Sequence, residues 1–120
     1  MNCRCQMNGL RRFLCSGTAL VSGAIFFYSE PVDAACIFTP TAGDDSYICD
    51  SGTSVGGLTD TGGNNTLLLP TAGTGTIAGN VTFGAGADRI EIYSGTINGA
   101  VVQGDGNDAF VMSGGTVAGN

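Results

Sequence analysis

From Gly75 onward the chain repeats one arrangement of apolar and polar positions every 20 residues. Gly75-Thr76-Ile77-Ala78-Gly79-Asn80-Val81 returns as Gly95-Thr96-Ile97-Asn98-Gly99-Ala100-Val101 and opens again as Gly115-Thr116-Val117-Ala118-Gly119-Asn120. Each row passes through a second turn, Gly84-Ala85-Gly86-Ala87-Asp88 in one and Gly104-Asp105-Gly106-Asn107-Asp108 in the next, with relatives at Gly43-Asp44-Asp45 and Gly63-Asn64-Asn65. The repeat-turn glycines are therefore Gly43, Gly63, Gly86 and Gly106, spaced 20, 23 and 20 apart. The three extra residues fall near Leu69-Pro70-Thr71-Ala72-Gly73, where proline favours a loop that leaves the stack.

After each turn the residues alternate, Ile90 and Ile92 around Glu91, then Phe110 and Met112 around Val111, so a period of two puts each pair on one face of a strand. Superposed rows give the columns Tyr47, Leu67, Ile90, Phe110 and Cys49, Leu69, Ile92, Met112. Ile77, Ile97 and Val117 form a third column, and Val81 with Val101 a fourth. Like apolar residues one coil apart are what a solenoid interior needs, because each coil buries its side chains only against its neighbours. The outward positions Arg89, Glu91, Asn98 and Gln103 are polar. The pattern predicts an all-β chain, a right-handed parallel β-helix of roughly 20-residue coils with two or three short strands each, four coils and the start of a fifth.

Composition agrees: of 21 glycines all but three lie beyond residue 34, a density that disfavours helices and marks frequent turns. Beyond residue 34, Arg89 is the only base, against eight acids. So acidic a module repels phosphates and anionic membrane surfaces, so no nucleic-acid partner is expected.

The first 34 residues read differently. Met1–Arg12 carries positive charge, and Phe13–Tyr28 is an apolar stretch of 16 residues, short of the roughly 20 that a spanning helix needs. Val32 and Ala34 stand at −3 and −1 of a cleavage point between Ala34 and Ala35. The expectation is a helical signal peptide over 1–34, an N-terminal cap with the first coil over 35–54, and β-helix repeats over 55–120, cut before the second strand of the last coil as in a fragment. Arg11-Arg12 is compatible with twin-arginine export, the general export machinery being the default, and Asp33 before Ala34-Ala35-Cys36 argues against lipidation.

Cys3, Cys5 and Cys15 fall in the segment that would be removed, leaving Cys36 and Cys49, which an oxidising compartment would join as a disulfide. Two cysteines with no histidine do not make a zinc site. The segments around Asp88 and Asp108 resemble the calcium-binding nonapeptide of RTX toxins and proteases, but at a period of 20. They are the calcium candidates, set against turn carboxylates and amides that bond their own backbone, which is the expected role; no metal or cofactor is assigned. Without histidine there is no Ser-His-Asp or Cys-His arrangement, and although Asp88 and Asp108 align on one face, Arg89 is the only base beside them and no aromatic platform for sugar accompanies it, so no enzyme is expected.

Residues Cys36 through Gly52, followed by the Gly-Thr-Ile-x-Gly-Asn-Val and Gly-x-Gly-x-Asp rows, resemble the N-terminal part of an autotransporter passenger of the type V secretion pathway. The resemblance implies display on the cell surface or outer membrane, or secretion, as a structural stalk or adhesin. Its implied partners are the export machinery, a downstream passenger and outer-membrane β-barrel on a longer chain, and a host-surface receptor or glycan. The alternatives are a calcium-stabilised RTX-like secreted module and a carbohydrate-active β-helix of the cell envelope.

Overall fold

The computed structural model describes residues 35–119; the segment expected to be a signal peptide, with Cys3, Cys5, Cys15 and Ala34, lies outside the described residues. Ten short strands follow in order: β1 (Ser46–Ile48), β2 (Leu58–Asp60), β3 (Thr66–Leu69), β4 (Thr76–Ile77), β5 (Val81–Phe83), β6 (Arg89–Ile92), β7 (Thr96–Ile97), β8 (Val101–Val102), β9 (Ala109–Met112) and β10 (Thr116–Val117). They stack into three parallel sheets, β1-β3-β6-β9, β4-β7-β10 and β2-β5-β8. The chain visits the three sheets in the same order on each turn, so the described residues form an all-β parallel solenoid of about four coils, three strands to a complete coil.

Register follows the columns. Tyr47, Leu67, Ile90 and Phe110 are successive partners, as are Leu69, Ile92 and Met112. The Cys49 amide donates to the Leu68 carbonyl at 2.9 Å, which continues the second column into the first coil. Ile77, Ile97 and Val117 align in the second sheet, and Val81 with Val101 in the third. The third sheet adds members that the repeat did not reveal: Leu58 lies under Val81, and Asp60 under Phe83. Ser54, next to the Thr53–Thr76 bridge, is buried below Ile77 and accepts the Ala78 amide at 2.9 Å. Each fully buried aliphatic side chain in these columns stabilises the stack by roughly 1.5–3 kcal/mol.

The corners are built on glycine where backbones approach too closely for a side chain. Gly63 has φ +70° and lies directly on the Gly43 carbonyl, so a Cβ there would be both strained and blocked. Gly106 lies as tightly on the carbonyl of Gly86, its bridge partner. The extra residues of the second coil form a Pro70–Gly73 turn between β3 and β4, with Thr71 and Ala72 exposed and Gly73 N–H donating to Pro70 C=O at 3.1 Å.

A disulfide joins Cys36 to Cys49, with Cα atoms 4.3 Å apart and both residues buried. It ties the segment before β1 beneath the first coil, where Ala35 bridges Ser51 and the Phe38 ring meets Tyr47 edge-on at 5.6 Å. The outward face of the first sheet is less polar than expected: exposed Arg89 and half-buried Glu91 share it with exposed Ile48 and half-buried Leu68 and Val111.

Candidate functional site

The corner between the third and first sheets gathers most of the polar chemistry. In each coil an Asp or Asn follows the turn glycine by two positions, giving Asp45, Asn65, Asp88 and Asp108 one above another just ahead of the first-sheet strands. The side chains of Asn65, Asp88 and Asp108 accept hydrogen bonds from the backbone of the coil below. Asp45 N–H donates to Asn65 Oδ1 at 3.0 Å, Asn65 N–H to Asp88 Oδ1 at 2.7 Å, and Asp88 N–H to Asp108 Oδ1 at 3.0 Å. A second ladder on the outer side runs the other way: Asn64 N–H donates to Asp44 Oδ1 at 2.8 Å and Ala87 N–H to Asn64 Oδ1 at 2.8 Å.

These side chains were expected to bond their own turns. The structure corrects that for the corner residues of the later coils: the acceptors serve a neighbouring coil, because coils about 4.8 Å apart bring one turn's amide within reach of the next turn's short side chain. Local bonding survives at two places, where Asn65 Nδ2 donates to the Gly62 carbonyl at 2.8 Å and where Thr41 N–H donates to Asp45 Oδ2 at 2.7 Å. The Thr41 amide is the main reason that the Asp45 carboxyl is held below its ordinary value.

The calcium candidates Asp88 and Asp108 are thus separate rungs, each with one oxygen on a backbone amide. Asp108 is exposed, whereas Asp88 is buried and its Oδ2 has no hydrogen-bond partner within the protein. Among the described residues no three His, Cys, Asp or Glu side chains come together as a metal site. Of the four turn glycines, Gly63, Gly86 and Gly106 support the ladder by letting the backbones touch, whereas a side chain at Gly43 would meet only Thr41 Oγ1 at 3.9 Å.

Two further polar groups were not legible as sites. Inside the first coil, the Tyr47 hydroxyl donates to buried Asp60 Oδ2 at 2.6 Å, and Gly62 N–H donates to Asp60 Oδ1 at 3.2 Å. Burial, then the bond to Asp60, raises the Tyr47 phenol well above its ordinary value. The only hint in sequence was that Asp60 falls two residues after Leu58, at the interior period. On the outward face of the first sheet, Arg89 Nε pairs with Glu91 Oε2, and the Tyr93 hydroxyl donates to Glu91 Oε1 at 2.7 Å. The Tyr93 hydroxyl first, and Arg89 second, hold the Glu91 carboxyl below its usual range. Beside them lies an open concavity of about 250 Å³, lined by Ser46, Ile48, Thr66, Leu68, Arg89 and Glu91 among others. The one cation named in its lining, Arg89, is paired with Glu91. No family model, curated protein or solved structure matches the chain.

Proposed function

We propose that this chain is the N-terminal segment of a surface-displayed autotransporter passenger, exported after removal of residues 1–34 and acting without catalysis as a stalk or adhesin module. The observation that carries this reading is the solenoid itself, whose corner Asp and Asn side chains join coil to coil. A corner built that way makes a rod whose product is length and surface. The disulfide-tied segment at Cys36 and Cys49 begins one residue after the proposed cleavage point, where a mature N-terminus would otherwise fray. The coils are taken as right-handed, the hand that parallel crossovers adopt almost without exception. Display then uses the export machinery and an outer-membrane β-barrel on the same polypeptide, and the exposed face of the rod meets a host receptor or glycan.

The test uses cells that produce the protein. Antibodies to residues 35–119 should label intact cells, and intact mass should show a mature N-terminus at Ala35. A product that retains Phe13–Tyr28, or antigen confined to the cytosolic fraction, would overturn the reading. A chelator arm separates the RTX-like alternative: a melting temperature that falls by more than a few degrees, equivalent to more than about 1 kcal/mol for a domain of this size, would favour a calcium module.

A further inference from the structure

The three sheets expose their last strands at the same end. Among the described residues β8 pairs only with β5, β9 only with β6, and β10 only with β7. Interior columns surface there, with Phe110 and Met112 exposed although Ile90 and Ile92, one coil below, are fully buried. In the first sheet Cys49 donates to the following coil, while Thr66, Arg89 and Ala109 donate to the preceding one, and strand parity carries the Cys49 direction to the aligned Met112 and, two residues earlier, Phe110. The amides of Phe110 and Met112 therefore point out of the open end. So does that of Asp108, whose counterparts Asp45, Asn65 and Asp88 each donate to the Asx side chain of the next coil.

We propose that this end is a docking surface for a further β-coil in parallel register, and that the Asp108 amide selects coils with Asn or Asp at the aligned position. The occupant is a segment of the form Asx-x-apolar-x-apolar, as in Asp88-Arg89-Ile90-Glu91-Ile92. The observation that names it is continuity: the molecule already makes this interface three times, with the same register, the same columns and the same amide-to-Asx bond. A coil lacking the acceptor leaves the Asp108 amide buried and unpaired, and a one-residue slip turns its apolar pair outward. The outer ladder gives no such selection, because there the lower coil's side chain accepts from the next coil's backbone amide, which any residue but proline supplies. The inference deepens the passenger reading and rests on it for the source of such a coil.

The experiment extends the full chain by a duplicate of residues 101–120 joined after Asn120, which sets a second copy of the Asp108 position one coil above the first. Three versions carry Asp, Asn or Ala there, and amide hydrogen exchange is read residue by residue. The Asp and Asn versions should slow exchange at Asp108, Phe110 and Met112 by about 100-fold relative to the unextended chain, with the Ala version at least about tenfold faster at Asp108 than the Asn version. Protection at Ile77 and Ile97 reports in every version that the stack below is intact. With that protection present, unchanged exchange at Phe110 and Met112 overturns the docking surface, and equal exchange in the Ala and Asn versions overturns the selection by Asp108. Protection of those amides in the unextended chain together with a doubling of its mass in sedimentation would make a second copy the occupant and also overturn the proposal. None of these results alters whether antibodies label intact cells, so this inference and the passenger reading fail separately.

Discussion

Tyr47 and Phe110 belong to one interior column, three coils apart, yet Tyr47 is 5% exposed and Phe110 46%. The neighbouring column repeats the contrast, with Cys49 at 1% and Met112 at 44%. The side chains at both ends occupy the same inward positions of their columns. What differs is coverage: the first coil has the Cys36 segment tied beneath it, with Phe38 against Tyr47, while nothing among the described residues lies over β9. Burial in a solenoid is thus a property of neighbours, and the same pattern is worth different amounts at different heights in the stack.

The contrast is sharpest under truncation of the column itself. Ile90→Ala, in the middle of the stack, should cost about 2–5 kcal/mol in urea unfolding, and Phe110→Ala at the open end about 1 kcal/mol. Equal losses would mean that the open end is as well packed as the middle. Opening the covered end comes next: replacing Cys36 and Cys49 together by Ala should cost about 3 kcal/mol, and should speed exchange at Tyr47 more than at Ile97.

The ladder is smaller per bond. Asn65→Ala removes the acceptor of the Asp45 amide and the donor to the Gly62 carbonyl, at a cost of about 1–3 kcal/mol. Asp88→Asn should move the other way, by up to about 1 kcal/mol. Its amide would aim at the carbonyl of Ala85, which register places where Gly62 stands one coil below, and so would partner an atom now left alone. A loss from Asp88→Asn would show that Oδ2 is already satisfied. The mildest effect is alkaline. Tyr47 is raised in the folded state, so its contribution is intact below the ordinary phenol value of 10.0 and is lost as pH rises through the folded value. Stability above pH 10 should therefore fall more steeply in the wild type than in Tyr47→Phe, and parallel curves would remove Tyr47 from the account.

The columns and coil length were legible because identical spacing of Ile77, Ile97 and Val117, and of the turn glycines, has one economical explanation in three dimensions. The disulfide was legible from the arithmetic of two remaining thiols. The third-sheet members of the first coil were not, since Leu58 and Asp60 precede the point where the 20-residue rows become regular, and the inserted Pro70–Gly73 turn offsets them by 23 from Val81 and Phe83. Nor was the ladder, although Asp45, Asn65, Asp88 and Asp108 share the spacing of the glycines. Sequence shows that an Asx recurs, but whether it bonds its own turn or the next depends on the distance between coils. The Tyr47–Asp60 pair joins two strands of different sheets, a proximity that no periodicity along the chain contains.

Hydrogen exchange on the unmodified chain, compared at aligned positions, tests the central claim that protection comes from the coil above. Ile90 and Ile92 amides should exchange at the slowest rates in the molecule, and those of Phe110 and Met112, in the same columns one coil higher, at rates near those of an unstructured chain. Equal protection in the two coils of a monomeric sample would contradict it.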